Sequence, residues 1–200
     1  MAKNNAPVTS EQLVSDLGHY QIPLVDGPDL AAVILATGYI EKQLGALLSQ
    51  FLIAGQTADD LLDSIKGPIA SLHSKSQLAY CLGLIPKSLF QLIQGLGGLR
   101  NLFAHSHVSL SFGDSEPAER IGKLDIPASI QLKSESGAEA TYYPANLAQN
   151  ALAELAPKQR FSVAVNLVIN ALLFLVPRVQ RRERAFEGPG DTSKLAPPGD

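Results

Sequence analysis

Two charges stand where two helices should be oily. From Leu30 onward, Val33, Ile34, Leu44, Leu48, Phe51 and Leu52 repeat at helical spacing until about Ala54. A second rhythm carries Leu89, Leu92, Ile93, Leu96, Leu99 and Phe103. On a wheel of about 100° per residue, Glu41 falls inside the first apolar stripe and Arg100 inside the second. A lone ion on a core face costs on the order of several kcal/mol. The cheapest arrangement brings the two faces together and pairs Glu41 with Arg100. This predicts a mainly α fold in which the first and fourth helices are neighbours.

Turn chemistry divides the rest. Asp26-Gly27-Pro28-Asp29 opens the first helix, with Pro in its first turn. Gly55-Gln56-Thr57 closes it, and Thr57 is placed to cap a short helix to Lys66. Gly67-Pro68 breaks that helix. A third runs from Ile69 to Leu82, with Gly83 as a left-handed cap, and Pro86 opens the fourth. Between 107 and 144 the pattern changes to alternation: Val108, Leu110 and Phe112, then Ala128–Lys133 and Glu139–Tyr143 around Ser134–Ala138. A small β-hairpin is expected there. A helix over Ala145–Ala156 and a last one from Lys158 to about Ala185, bent at Pro177, complete a bundle of five to six helices. Residues 13–186 form the domain, 107–144 an insertion within it, and the stretches 1–12 and 187–200 are disordered tails.

Composition removes several functions. The formal charge is −3, against the clearly basic balance of a chain that coats nucleic acid by charge. The single cysteine, Cys81, allows no internal disulfide, and no Cys/His cluster has zinc spacing, so a cytoplasmic setting without metal or cofactor is expected. The start of the chain lacks a signal-peptide core. The greasiest stretch, Phe161 to Val176, is interrupted by Asn166 and Asn170 and is too short to span a bilayer.

The segment Arg100-Asn101-Leu102-Phe103-Ala104-His105 carries the chemistry. It resembles the Arg-Asn-x-x-x-His signature of the HEPN superfamily, helical domains that include metal-independent ribonucleases and toxins. A His can move a proton of a ribose hydroxyl, an Arg can fork a phosphate, and an Asn can orient either. With Glu41, Gly67-Pro68, Leu78-Ala79-Tyr80-Cys81-Leu82-Gly83-Leu84-Ile85 and Arg160-Phe161 in the same order, the chain resembles the mannitol operon repressor (MtlR/MltR) family. That resemblance covers residues 28–106 closely and 157–176 loosely. It implies a transcriptional regulator that lacks a DNA-reading motif and acts through a protein partner. The chain departs from the family at Lys75, where an Arg is usual, and at Gly95, Gly97 and Gly98, where charged helix formers are usual.

The expected function is therefore repression through a protein partner by a homodimer, with no enzymatic activity and no direct DNA reading. The alternative is a metal-independent ribonuclease acting on RNA with Arg100, Asn101 and His105. For that role Arg100 and His105 must converge, yet five residues of regular helix turn them about 140° apart. Glu41 is either the structural partner of Arg100 in a buried salt bridge or the carboxylate that orients it towards a site, and Lys75 and Tyr80 are candidates for a pocket or partner contact. His105-Ser106-His107 is read as a polar helix end rather than a metal site. His73 and Lys75 are read as a solvated face, Cys81 as a buried thiol, and Arg178, Arg181, Arg182 and Arg184 as a balance to the helix dipole.

Overall fold

The computed structural model describes residues 27–134, 137–144 and 154–182, with Gln12, Ser15 and Leu152 besides. The two expected tails (Gln12 apart), most of the Ala145–Ala156 helix, and Arg184 lie outside those residues. Among them the chain forms six helices and one hairpin: α1 (Asp29–Phe51), α2 (Gln56–Leu62), α3 (Leu72–Cys81), α4 (Lys87–His105), α5 (Ser115–Gly122), β1 (Ile130–Lys133), β2 (Glu139–Tyr142) and α6 (Pro157–Leu175). A single 3₁₀ turn, Val176–Arg178, follows α6.

Helix α1 buries one face, including Val33, Ala36, Tyr39, Ile40, Leu44, Leu47 and Leu48. Its first apolar residue, Leu30, stays exposed. Pro28 occupies the N-cap, and Asp29 turns outward to accept the Phe112 N–H at 2.8 Å and pair with Lys158 at 3.3 Å. This ties the start of α1 to the loop after α4 and to the start of α6. Helix α2 begins two residues earlier than expected: Gly55, at φ 148°, is its cap rather than Thr57, and it ends at Leu62.

Helix α3 begins later than expected, because Ser71 and Ser74 form a reciprocal capping box. Its end is a Schellman turn. Gly83, at φ 72°, donates to Tyr80 O, and Leu84 donates to Ala79 O. Helix α4 runs unbroken from Lys87 to His105, burying Leu89, Leu92, Ile93, Leu96, Leu99 and Phe103. Gly95, mid-helix, sits where a Cβ would come within 2.6 Å of a Leu124 methyl, so close packing accounts for it.

The segment after α4 corrects the expectation of strands only. Val108 to Phe112 is irregular, and Ser115–Gly122 is helical. Pro117 in the first turn and the pairs Glu116–Arg120 and Glu119–Lys123 support that helix. Lys123 holds the exposed Glu119 carboxyl below its usual pKa, through a hydrogen bond and its charge. The hairpin forms as expected, antiparallel, with Ile130 opposite Tyr142 and Lys133 opposite Glu139. Its turn closes through Ser134 N–H to Ala138 O at 2.8 Å, with Gly137 at φ 85°. Ile130 and Leu132 face inward and join the same core as α1, α4 and α6.

Helix α6 stops at Leu175, ahead of Pro177, and the described chain beyond the 3₁₀ turn is not helical. Helices α1 and α6 are both long and apolar enough to cross a membrane by length and composition, which corrects the sequence estimate for the latter. They are core helices here, with 56% and 61% of their most apolar windows buried. Arg160 in the first turn of α6 donates to the carbonyls of Ile121, Gly122, Leu124 and Leu152, closing the end of α5.

Candidate functional site

The expected Glu41–Arg100 pair does not form. Glu41 pairs instead with Lys75, Nζ to Oε1 at 3.3 Å, and the same ammonium donates to Ala70 O at 2.7 Å. The reason is local. Gly45 lies one turn beyond Glu41 on α1, and the Lys75 stem crosses over it, its Cε 3.8 Å from where a Cβ would stand. Helix α3 thus reaches the carboxylate. Lys75 is 5% exposed, so it is a buried cation rather than part of a solvated face.

Arg100 is left without a protein partner. Its Nε is shielded from water and makes no hydrogen bond, and no ion pair involves it among the described residues. The side chain borders a cavity of about 330 Å³ between the start of α3 and the later turns of α4. Asn101, His73, Gln94 and Ser71 supply its other polar groups, and Gly97 and Gly98 line it without side chains.

His73, read from the sequence as part of a solvated face and exposed here, forms a relay with Gln94, which the sequence did not single out. The His73 Nδ1 contacts Gln94 Oε1, Gln94 Nε2 donates to Ser76 Oγ at 2.6 Å, and Ser76 Oγ donates to His73 O at 2.9 Å. Because the Ser76 proton is already spent, the Gln94 group facing it must be the NH₂, which leaves the amide oxygen towards His73. An amide oxygen only accepts, so Nδ1 is the donor in that contact. The Ser71-Leu-His-Ser74 spacing was the available signal, since it sets the first turn of α3.

The remaining candidates lie elsewhere. With α4 continuous through His105, that side chain points about 140° from Arg100 and is exposed at the helix end. A single chain therefore does not assemble Arg100, Asn101 and His105 into one site. Tyr80 stacks on Phe90 at 4.9 Å on the outer side of α3. Cys81 is exposed, correcting the buried assignment: it lies about 200° around the helix from the buried Ala79. Arg178 donates to Phe174 O at the end of its own helix, Arg181 to Ser49 and Gln50 carbonyls at the end of α1, and Arg182 lies over the Phe51 ring.

A sequence profile of the mannitol repressor family, MtlR, matches residues 50–173, more than half of the chain. The chain belongs to that family. The match spans α2 to α6 and so includes Lys75, the cavity and the Arg100 segment. No curated protein matches the chain. Among solved structures, the X-ray structure of the MtlR–HPr complex from Escherichia coli is similar, with a TM-score of 0.53 and 18% identity over 82% of this chain and 98% of that one. At that identity the likeness establishes the MtlR fold, with its helices and hairpin.

Proposed function

We propose that this MtlR-family chain is a transcriptional regulator that works by docking on a protein of the HPr kind rather than by reading DNA itself. The observation that carries this reading is that Lys75 of α3 and the described arginines after α6 are all engaged within the fold. In the pair of helices joined through Gly67-Pro68, α3 would be the reading helix, and its single Lys75 is buried against Glu41. The residues α3 exposes are His73, Gln77, Tyr80 and Cys81, with no Arg or Lys among them. Arg178, Arg181 and Arg182 are spent on helix ends and a ring face. The similar Escherichia coli MtlR was captured in complex with HPr, which supports a partner of that kind here.

In this reading the chain is a cytoplasmic homodimer, and light scattering on the purified protein measures that directly. Calorimetry with HPr from the same cell tests the docking: saturable binding is expected, together with no operator-specific gel shift by the purified chain at ~150 mM salt. A specific shift without partner overturns the reading. So does cleavage of single-stranded RNA in EDTA that His105→Ala abolishes, since that outcome installs the ribonuclease and requires a second copy to bring His105 to Arg100.

A further inference from the structure

We propose that the cavity between α3 and α4 binds a small oxyanion ligand, a phosphate or a carboxylate, with Arg100 as its principal contact and Asn101 and His73 beside it. This goes beyond docking, needs no partner protein and is testable on the chain alone.

The argument starts from an unbalanced charge. Arg100 is permanently cationic, its Nε is removed from water, and the carboxylate that could have paired with it is held by Lys75. No Asp or Glu lines the cavity. A partly desolvated guanidinium with unspent donors, facing an acid-free hollow, matches the fork geometry of a phosphate or carboxylate. The polar neighbours agree. Asn101 offers an amide N–H donor at the exposed edge, and the Gln94 relay fixes the orientation of the His73 ring beside it.

The second observation is the glycines. Gly97 and Gly98 weaken α4 as helix residues, yet the fold does not demand their smallness. A Cβ at Gly98 would meet nothing within 4 Å, and one at Gly97 would make ordinary contact with Leu72 at 3.5 Å. What their missing side chains do is keep the wall of the cavity bare. A volume of about 330 Å³ sits at the lower end of small-molecule sites, enough for a compact anionic metabolite.

The test is thermal melting of the full chain at fixed ionic strength, with sodium phosphate or sodium citrate replacing sodium chloride. At about ten times Kd either probe that binds should raise the midpoint by about 3–5 °C. Phosphate alone acting identifies a phosphate site, and citrate alone a carboxylate site. Asn101→Asp places a like charge at the exposed edge, where folding is unaffected, and should weaken binding at least tenfold. Arg100→Ala should abolish it. Should Arg100→Ala fail to fold, Asn101→Asp decides alone. No shift over chloride with either probe overturns the proposal. A shift that survives undiminished in Asn101→Asp also overturns it, because it reports an adventitious ion only.

Discussion

Lys75 shows how a buried charge can be legible while its partner is not. The wheel placed Glu41 on the inner side of α1, and the side chain is there, only a fifth exposed. What the wheel could not weigh was a third helix crossing at Gly45, since a missing side chain leaves no mark on an apolar pattern. The pair should behave as a coupled buried one. Glu41→Gln strands an ammonium that is 6% exposed and should cost about 2–4 kcal/mol, below the upper range for broken buried pairs because Glu41 keeps some water. Lys75→Met removes the cation and fills its path over Gly45, leaving a carboxylate that can solvate, so it should cost under about 1 kcal/mol. Urea melts of both variants and of the double mutant check the coupling. Equal losses in the two singles would mean the pair is not what holds the side chains in place.

Among the elements, α4 and α5 make the sharpest case. The three glycines of α4 lie in one sequence cluster but in three environments. Gly98 has open space, Gly97 has ordinary contact, and Gly95 faces a Leu124 methyl 2.6 Å from a built Cβ. Gly98→Ala should therefore stabilise by up to about 1 kcal/mol and Gly97→Ala by somewhat less. At Gly95 the helix gain is offset by the shift forced on Leu124, and Gly95→Ala should be neutral or destabilising. Thermal melts of the three variants rank them, and any other order would mean the helix curves differently from what the packing shows.

Helix α5 was missed because Val108, Leu110 and Phe112 alternate into it, and alternation reads as strand. The better signal was electrostatic, in Glu116–Arg120 and Glu119–Lys123, where four-residue spacing has meaning only on a helix. The capping of α5 was beyond sequence reach, because Arg160 comes from almost forty residues downstream. Its guanidinium serves four carbonyls, and neither Lys nor Ala can. Arg160→Lys should cost roughly 2–3 kcal/mol and Arg160→Ala more, read from denaturant midpoints.

At the scale of the whole molecule, the segment between α4 and α6, expected as an insertion within the domain, packs into the common core. Phe112 sits between Phe103 of α4 and Phe161 of α6, with ring centroids at 5.5 and 5.0 Å. Tyr142 meets Phe174 edge-on at 6.2 Å, and Ile121, Leu124, Ile130 and Leu132 are buried with the helices in one core. The helical rhythms of α1, α4 and α6 were legible because each carries its own buried face. The segment's membership in the core was not, because it depends on contacts between residues some fifty positions apart. The consequence is cooperative unfolding. Phe112→Ala should cost about 3–5 kcal/mol, the range for a buried aromatic, although it lies in a loop. Far-ultraviolet dichroism, which follows α1, α4 and α6, should then lose signal at the same denaturant concentration as tyrosine fluorescence, to which Tyr142 in the hairpin contributes. A tyrosine transition that precedes the helical one would show the hairpin melting alone, independently of the helices.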